Sequence, residues 1–262
     1  MKKPVVSVVM TIYNHEKYLK KSIKSIQNQS FKNWELIAID NGSTDKSSSI
    51  LKLFKDKRIK KNFLKKNIGR TKCLNLALKI CKGRLIAIQD SDDISHKERL
   101  NKQVKFFHKN KKCWLLATNY ILVNQKTNFR IKRDIFKILG KNMREILFNN
   151  YIAHSTVMYR KKIIDKIGNY PSNYIYAQDY AFYLRAFLKF KIYVLKNFLV
   201  KINFNHENAD TIRATNKGLR FLENLKLLFW IFSKYKLSFN ERTKICLVIL
   251  KIFIKMIFSK FI

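Results

Sequence analysis

The chain has 262 residues, 47% of them apolar, and a formal net charge of +38. That length and apolar share exclude a disordered chain. They suit one large α/β domain with an added element, or two small domains, around a sizeable core. Of the 55 basic residues, 43 are lysine, spread along the whole chain without zinc-finger or basic-zipper spacing. Specific nucleic-acid binding is therefore not the expected function, and the basic surface favours anions such as lipid head groups or nucleotide phosphates.

The N-terminal Met1-Lys2-Lys3-Pro4 runs straight into a strand pattern and lacks the apolar region and cleavage site of a signal peptide. Val5 to Tyr13 is β-branched and apolar on both faces, as a central parallel strand requires. Asn14 is placed to cap a helix over about His15 to Asn28, with Tyr18, Leu19, Ser22, Ile23 and Ile26 on its inward side. Trp34 to Asp40 reads as a second strand. Gly42 then permits a sharp turn, and Ser43 or Thr44 can cap a helix running to Lys55. A short strand near Asn62 to Leu64 follows, then a helix from Asn67-Ile-Gly69 through Cys81, then a strand over Arg84 to Gln89.

This alternation, four times over, reads as an open parallel sheet with helices on both faces, in which ligands bind beyond the carboxyl ends of the strands. At one such end lies Asp90-Ser91-Asp92-Asp93. Three carboxylates together repel one another unless a cation sits among them. Asp90 and Asp92, two residues apart, can reach one ion, and oxygen ligands of this kind suit Mg²⁺ or Mn²⁺. The alternative is a solvated acidic turn in which Asp93 caps the next helix. Asp40 also ends a strand. Glycine-rich phosphate loops are missing, so a bound nucleotide would be held by carboxylates and a metal.

Beyond the acidic cluster, the pattern predicts a helix over Glu98 to Lys109, a strand over Trp114 to Val123 and a turn at Asn124 to Asn128. A helix over Lys137 to Asn149, a strand over His154 to Tyr159 and a helix over Lys161 to Ile167 come next. A loop over Gly168 to Tyr176 leads to a helix opening at Gln178-Asp179-Tyr180 and ending at Phe190, and a strand over Ile192 to Asn203. Asp179 in a first helical turn is favoured by the helix dipole whatever else it does. From Arg213 the pattern is helical, with Lys244, Lys251 and Lys255 on one face and Ile245, Val248, Ile249, Ile252, Phe253, Met256 and Ile257 over much of the rest. That is the pattern of an interfacial helix on an acidic membrane, or of a helix packed on the main domain. The four cysteines, Cys73, Cys81, Cys113 and Cys246, have neither metal nor redox spacing and fit a reducing compartment. No run of 18 uncharged apolar residues occurs, so a cytoplasmic protein without a membrane span is expected, peripheral on the inner face of the cell membrane through its tail.

Several pieces together resemble the family 2 glycosyltransferases. Ser7-Val-Val-Met-Thr-Ile-Tyr13-Asn14 is similar to that family's opening strand, and Asp40-Asn-Gly-Ser-Thr-Asp45 to its acidic turn. Asn67-x-Gly69 with Asn75 is similar to its third helix entry, and Asp90-Ser-Asp92-Asp93 with Arg99-Leu100 to its D-x-D segment. His154 to Arg160 and Gln178-Asp179-Tyr180 with Arg185 are similar to its last two segments. Thr11 stands where proline is usual, Asn41 where a second Asp is usual, Leu74 where many members have Arg, and Gln178 where Glu is usual.

The resemblance implies the GT-A type fold of nucleotide-diphospho-sugar transferases, a Rossmann-like, mostly parallel α/β sheet with a C-terminal helical extension. The implied layout is a catalytic domain over residues 1–212, with a nucleotide-binding half to about 93 and an acceptor half beyond it, then a basic amphipathic tail over 213–262. It implies an inverting transfer of sugar from a UDP- or dTDP-sugar to a hydroxyl acceptor, in cell-surface polysaccharide or lipid-linked glycan synthesis. Asp179 would be the general base. Thr11, Tyr13, Asn14, Asp40, Asn67, Asp90, Asp92 and Arg213 would bind the donor, and Asp90, Asp92 and His206 would hold Mn²⁺ or Mg²⁺. Against these stand ordinary strand-end packing for Thr11 and Tyr13, a turn carboxylate for Asp40 and a solvated loop histidine for His206. A sugar-nucleotide nucleotidyltransferase, or a non-catalytic binder of nucleic acid or membrane, is the alternative function.

Overall fold

The computed structural model describes residues 3–124, 127–204 and 217–258. Its centre is the strand pair β1 (Val6–Ile12) and β2 (Trp34–Asp40). Every residue of β2 and all but Thr11 of β1 are buried, which is why these runs are apolar without alternation. β3 (Ile59–Phe63) pairs with β2, and β4 (Leu85–Ile88) with β1, all parallel. The intervening helices are α1 (Glu16–Gln27), α2 (Ser47–Leu53) and α3 (Arg70–Ile80).

The second half is of mixed direction. β5 (Ile94–Ser95) and α4 (Arg99–Lys109) lead to β6 (Leu115–Val123), β7 (Arg130–Arg133) and α5 (Ile135–Lys141). β8 (Met158–Arg160), α6 (Ile163–Ile167), α7 (Gln178–Lys189) and β9 (Ile192–Asn203) follow. The sheet order is β3-β2-β1-β4-β8-β6-β9-β5, with β7 added to β6. β8 is antiparallel to both β4 and β6, whereas β6 and β9 are parallel. Helices cover both faces. Val8, Met10 and Ile12 pack with α1 and α4, while Val9, Ile37 and Ile39 pack with α3 and, beyond it, α7.

Four local expectations change. Asn14 does not cap α1; its φ is +53° and its amide faces the next turn, and the first N–H of α1 goes to Asp45 Oδ2 at 2.9 Å. Ser43 and Thr44 do not cap α2, which starts later, with Ser47 N bonded to Asp45 Oδ1 at 2.9 Å. The expected helix over 137–149 starts at Ile135 and breaks at Asn142, whose side chain caps a separate 3-10 turn, Met143–Leu147. The expected strand at His154 is instead a 3-10 turn over His154–Thr156, because Thr156 Oγ1 bonds back to Ala153 O at 2.6 Å.

The tail forms α8 (Lys217–Lys234) and α9 (Phe239–Phe258), packed on the main body. Leu227, Leu228, Ile231 and Ile245 are buried in the same core as Tyr180, Tyr183 and Leu184 of α7. Arg144 bonds Glu241, and Lys244 pairs with Glu145 at 2.9 Å and lies over the Phe148 ring. Lys244 therefore faces the protein, not lipid head groups. The outward side of α9 carries Leu247, Leu250, Phe253 and Ile254, each about half exposed, together with the exposed Lys251. No described helix is long and apolar enough to cross a membrane.

Candidate active site

The carboxyl ends of β1, β2 and β4 open into one cleft, and their turns are stitched together by short polar side chains. Gly42 has φ +71°, and a Cβ there would lie 2.5 Å from the backbone of Lys66, so no other residue fits. Asn14 accepts from Thr44 N at 2.8 Å and donates to Thr44 Oγ1. Asn41 donates to Asn67 Oδ1 at 2.9 Å and accepts from Ile68 N, while Asn67 Oδ1 also accepts from Gly69 N at 2.8 Å. An amide at position 41, unlike an acid, can donate to Asn67. Together these two amides place the start of α3.

Asp40 is buried, and its carboxylate accepts from Ser43 N and Oγ and from Ser48 Oγ. The turn-carboxylate role is thus filled. Asp40 pairs in register with Ile12, so by alternation it lies on the opposite face of the sheet from Thr11. Tyr13 is 40% exposed at the cleft edge.

In the acidic turn after β4 each carboxylate has a different setting. Asp93 is buried; it accepts from Ser155 Oγ at 2.5 Å and from Asn203 N at 2.9 Å. Burial, then Asp92 and Asp90, push its carboxyl well above the usual range. It is a structural clamp rather than a helix cap, and it ties the end of β9 to the acidic turn. His206 and Arg213, in the segment after β9, lie outside the described residues. Behind Asp93, Arg99 is fully buried and donates to Gln89, Ser95 and the Ile88 carbonyl, and burial lowers its guanidinium to about 9.

Asp90 is held from the other side of the cleft. Arg70, the first residue of α3, places Nη2 2.5 Å from Asp90 Oδ1 and 3.0 Å from His154 Nδ1. Arginine only donates, so His154 Nδ1 accepts and its Nε2 carries the proton, 3.1 Å from Tyr170 Oη. Burial alone would raise the Asp90 carboxyl, but the Arg70 guanidinium outweighs it and holds it well below the usual range. Burial likewise opposes the charge on Arg70, and Asp90, Asp179 and Asp92, in that order, reverse the effect. The half-exposed Arg70 guanidinium thus bonds Asp90 and is within electrostatic reach of Asp179 and Asp92. Asp179, the expected base, and Asp90 and Asp92, the expected metal ligands, all act electrostatically on this one arginine.

Asp179 is partly exposed in the first turn of α7, and the loop before it is held from two sides. From α3, Asn75 exchanges two hydrogen bonds with the backbone of Tyr170, and Thr71 bonds the Tyr174 carbonyl. From α8, the buried Glu223 accepts from Ile175 N at 2.6 Å and from Tyr176 N and Ala177 N, each at 2.9 Å. Asp179 also lines a cavity of about 320 Å³ between α7, the segment 148–150 and the two tail helices. Asn150, Arg220 and Asn224 share its polar side, and Leu228, Val248 and Ile252 its apolar side.

Asp90 and Asp92 offer the hard oxygen donors that Mg²⁺ and Mn²⁺ take. Among the described residues no three His, Cys, Asp or Glu side chains form a cage for an ion. A cation here would share its coordination with substrate phosphates, the usual habit of Mg²⁺.

A parallel half-sheet ending in an aspartate cluster, joined through an antiparallel strand to a second half that brings in a further acid, defines a glycosyltransferase of GT-A type. Solved structures support that architecture. TarS of Staphylococcus aureus in complex with UDP superposes with a TM-score of 0.66 at 24% identity, over 95% of this chain and 71% of TarS. A mannosyltransferase of Pyrobaculum calidifontis, solved with GDP-Man and Mn²⁺, gives 0.65 at 14% identity, over 91% and 67% of the two chains. Residues 7–168 match the model of glycosyl transferase family 2, and the chain belongs to that family. An uncharacterized glycosyltransferase of Methanocaldococcus jannaschii is 36% identical over 86% of this chain and 80% of its own. The putative glycosyltransferase EpsE of Bacillus subtilis is 32% identical over 91% and 85%. The putative teichuronic acid biosynthesis glycosyltransferase TuaG of the same organism is 37% identical over 47% and 49%.

Arg70, His154 and Glu223 are site residues that sequence reasoning did not single out. Arg70 had one available signal: it lies one helical turn before Leu74, the position where the resemblance implies arginine, and so on the same face of α3. Leu74 itself is buried in the core. Glu223 had no local signal, since its partners are nearly fifty residues away.

Proposed function

We propose that this glycosyltransferase is inverting and metal-dependent, and moves a sugar from a UDP- or dTDP-sugar to a hydroxyl acceptor in cell-surface polysaccharide or lipid-linked glycan synthesis. The observation that carries this reading is that Arg70, bonded to Asp90, is also within electrostatic reach of Asp179 and Asp92. Asp179 takes the proton of the acceptor hydroxyl as its oxygen attacks the anomeric carbon. One base and one displacement invert the configuration at that carbon. Arg70, bonded to Asp90, supplies hydrogen bonds to a donor diphosphate. Asp92 and Asp90 would hold Mn²⁺ or Mg²⁺, which when bound offsets the negative charge on the leaving diphosphate. Arg213 and His206 complete the proposed donor side. Thr11 and Tyr13 line the nucleoside pocket, and Asn14, Asn67 and Asp40 shape its turns.

The relation to TuaG supports a polysaccharide product. The outward apolar stripe of α9 favours association with an acidic membrane surface from the cytoplasmic side.

A thermal-shift screen of UDP- and dTDP-sugars, with and without Mn²⁺, tests the donor reading. Stabilisation of several degrees by one donor, larger with Mn²⁺, is expected; no response to any donor would remove it. Co-sedimentation with vesicles containing anionic lipid tests the membrane reading. Leu247→Ser with Phe253→Ser should release the protein, and equal binding by that variant would assign the stripe another use.

A further inference from the structure

The 3-10 turn His154–Thr156 meets the acidic turn after β4 at two points. Ser155 Oγ accepts from Asp90 N at 2.9 Å and donates to Asp93 Oδ2. His154 reaches the same turn through Arg70. Its side chain is buried, yet both ring nitrogens are engaged. Nδ1 accepts from Arg70 Nη2 at 3.0 Å, and Nε2 donates to Tyr170 Oη at 3.1 Å. Tyr170 Oη can still donate to Tyr159 Oη, 3.4 Å away. Tyr170 is itself firmly held. Its buried ring stacks on Phe182 of α7, and its backbone exchanges two hydrogen bonds with Asn75 of α3, the helix that Arg70 opens. The histidine ring thus has a fixed support on one side and a half-exposed guanidinium on the other.

A guanidinium is a planar fork of five N–H groups. Among the described residues Arg70 uses only those on Nη2, one toward Asp90 and one toward His154. Two acceptors on one nitrogen fix the plane of the fork, whereas a single acceptor would leave it free to turn about that bond. The N–H groups on Nη1 and Nε are left for a ligand.

We propose that His154 is a positioning residue of the transfer: it touches no substrate, and it holds the plane of Arg70 so that Nη1 and Nε are presented to the donor diphosphate. The proposal rests on the reading of Arg70 given above. It requires a ring whose Nδ1 is bare. A proton on Nδ1 would face the arginine N–H groups and favour Asp90 Oδ1, 3.6 Å away, and Arg70 would lose its second anchor. The Tyr170 hydroxyl, by accepting at Nε2, keeps the proton on that side of the ring. Tyr170 lies in the segment that leads to Asp179, so the same chain of hydrogen bonds ties the donor-side arginine to the segment bearing the proposed base.

The test is a double-substitution cycle on the full chain, with UDP and dTDP titrated calorimetrically in the presence of Mn²⁺ and folding checked by thermal melting. Arg70→Ala should weaken the nucleotide about tenfold. His154→Ala should weaken it about fivefold, and should weaken it no further when added to Arg70→Ala, because the arginine it holds is gone. A histidine that merely supported the core would cost the same with or without Arg70. His154→Asn, whose side-chain oxygen can stand in the place of Nδ1, should recover most of the affinity. Tyr170→Phe should weaken binding about threefold, again only while Arg70 is present, and is the second variant if His154→Ala does not fold. Wild-type affinity in a folded His154→Ala protein, or an equal loss in both backgrounds, would overturn the proposal and leave Arg70 its role. Wild-type affinity in Arg70→Ala would instead remove the diphosphate reading of Arg70, and the positioning role with it. Failure of the wild type to bind either nucleotide would remove the donor reading and this proposal together.

Discussion

The two walls of the cleft are built on different plans. On the donor side, Asn14, Asp40 and Asn67 sit where the motifs place them, but their polar atoms bond to neighbouring turns within the first seventy residues. On the acceptor side, one acid stands at a cavity, and what places it comes from far along the chain: Thr71 and Asn75 on one hand, Glu223 on the other. The first wall is shaped by dense local hydrogen bonds, so its motif residues act largely by holding backbone. The second is shaped by a few long-range bonds and an apolar core, so single residues there carry more of the function.

That contrast can be broken by substitution. The largest effect is expected for Asp179→Asn, which keeps the shape and removes the base. Transfer should fall by roughly 10² to 10⁴ while donor affinity holds; full turnover by this variant would take the base assignment away. Next comes Glu223→Ala, which removes the acceptor of three N–H groups in the loop before Asp179, that of Ala177 buried. A stability loss of about 2–4 kcal/mol by urea unfolding is expected, and transfer should fall more than donor binding does. If transfer and donor binding fell together, the two walls would not be independently held. The smallest effect is expected for Arg70→Ala. The ion pair with Asp90 is partly exposed, so its loss should cost only about 1 kcal/mol. Without Arg70, Asp90 loses the guanidinium bonded to it, so added Mn²⁺ should restore more melting temperature in this variant than in the wild type. Equal Mn²⁺ responses would show that Arg70 and the metal do not share Asp90.

How much of this was legible in the sequence follows the range of the interactions. β2 and β9 lie where their apolar and β-branched runs place them, because burial of such runs is written residue by residue. α3, α4 and α7 fall within a few residues of expectation for the same reason. β7, with the sequence Arg-Ile-Lys-Arg, carries no strand pattern; it exists because β6 offers its backbone edge from Tyr120 to Val123. β5 is two residues long and held by β9. The tail pattern favours an interfacial helix over a packed one, although periodicity reports an apolar face and not its partner. The structure gives one side of α9 to the core and leaves Leu247, Leu250, Phe253 and Ile254 outward.

By itself the sequence determined the family, the strand ends that bear aspartates, and the identity of the acids available for chemistry. These are local: a buried strand needs consecutive apolar residues, and an acid at its end follows directly in the chain. Only the tertiary structure decided that Arg70 bonds Asp90 within electrostatic reach of Asp92 and Asp179, and that Glu223 of the tail holds the loop before Asp179. Those pairings join residues dozens of positions apart, and such closure depends on how sheet and helices pack, which no short stretch of sequence encodes.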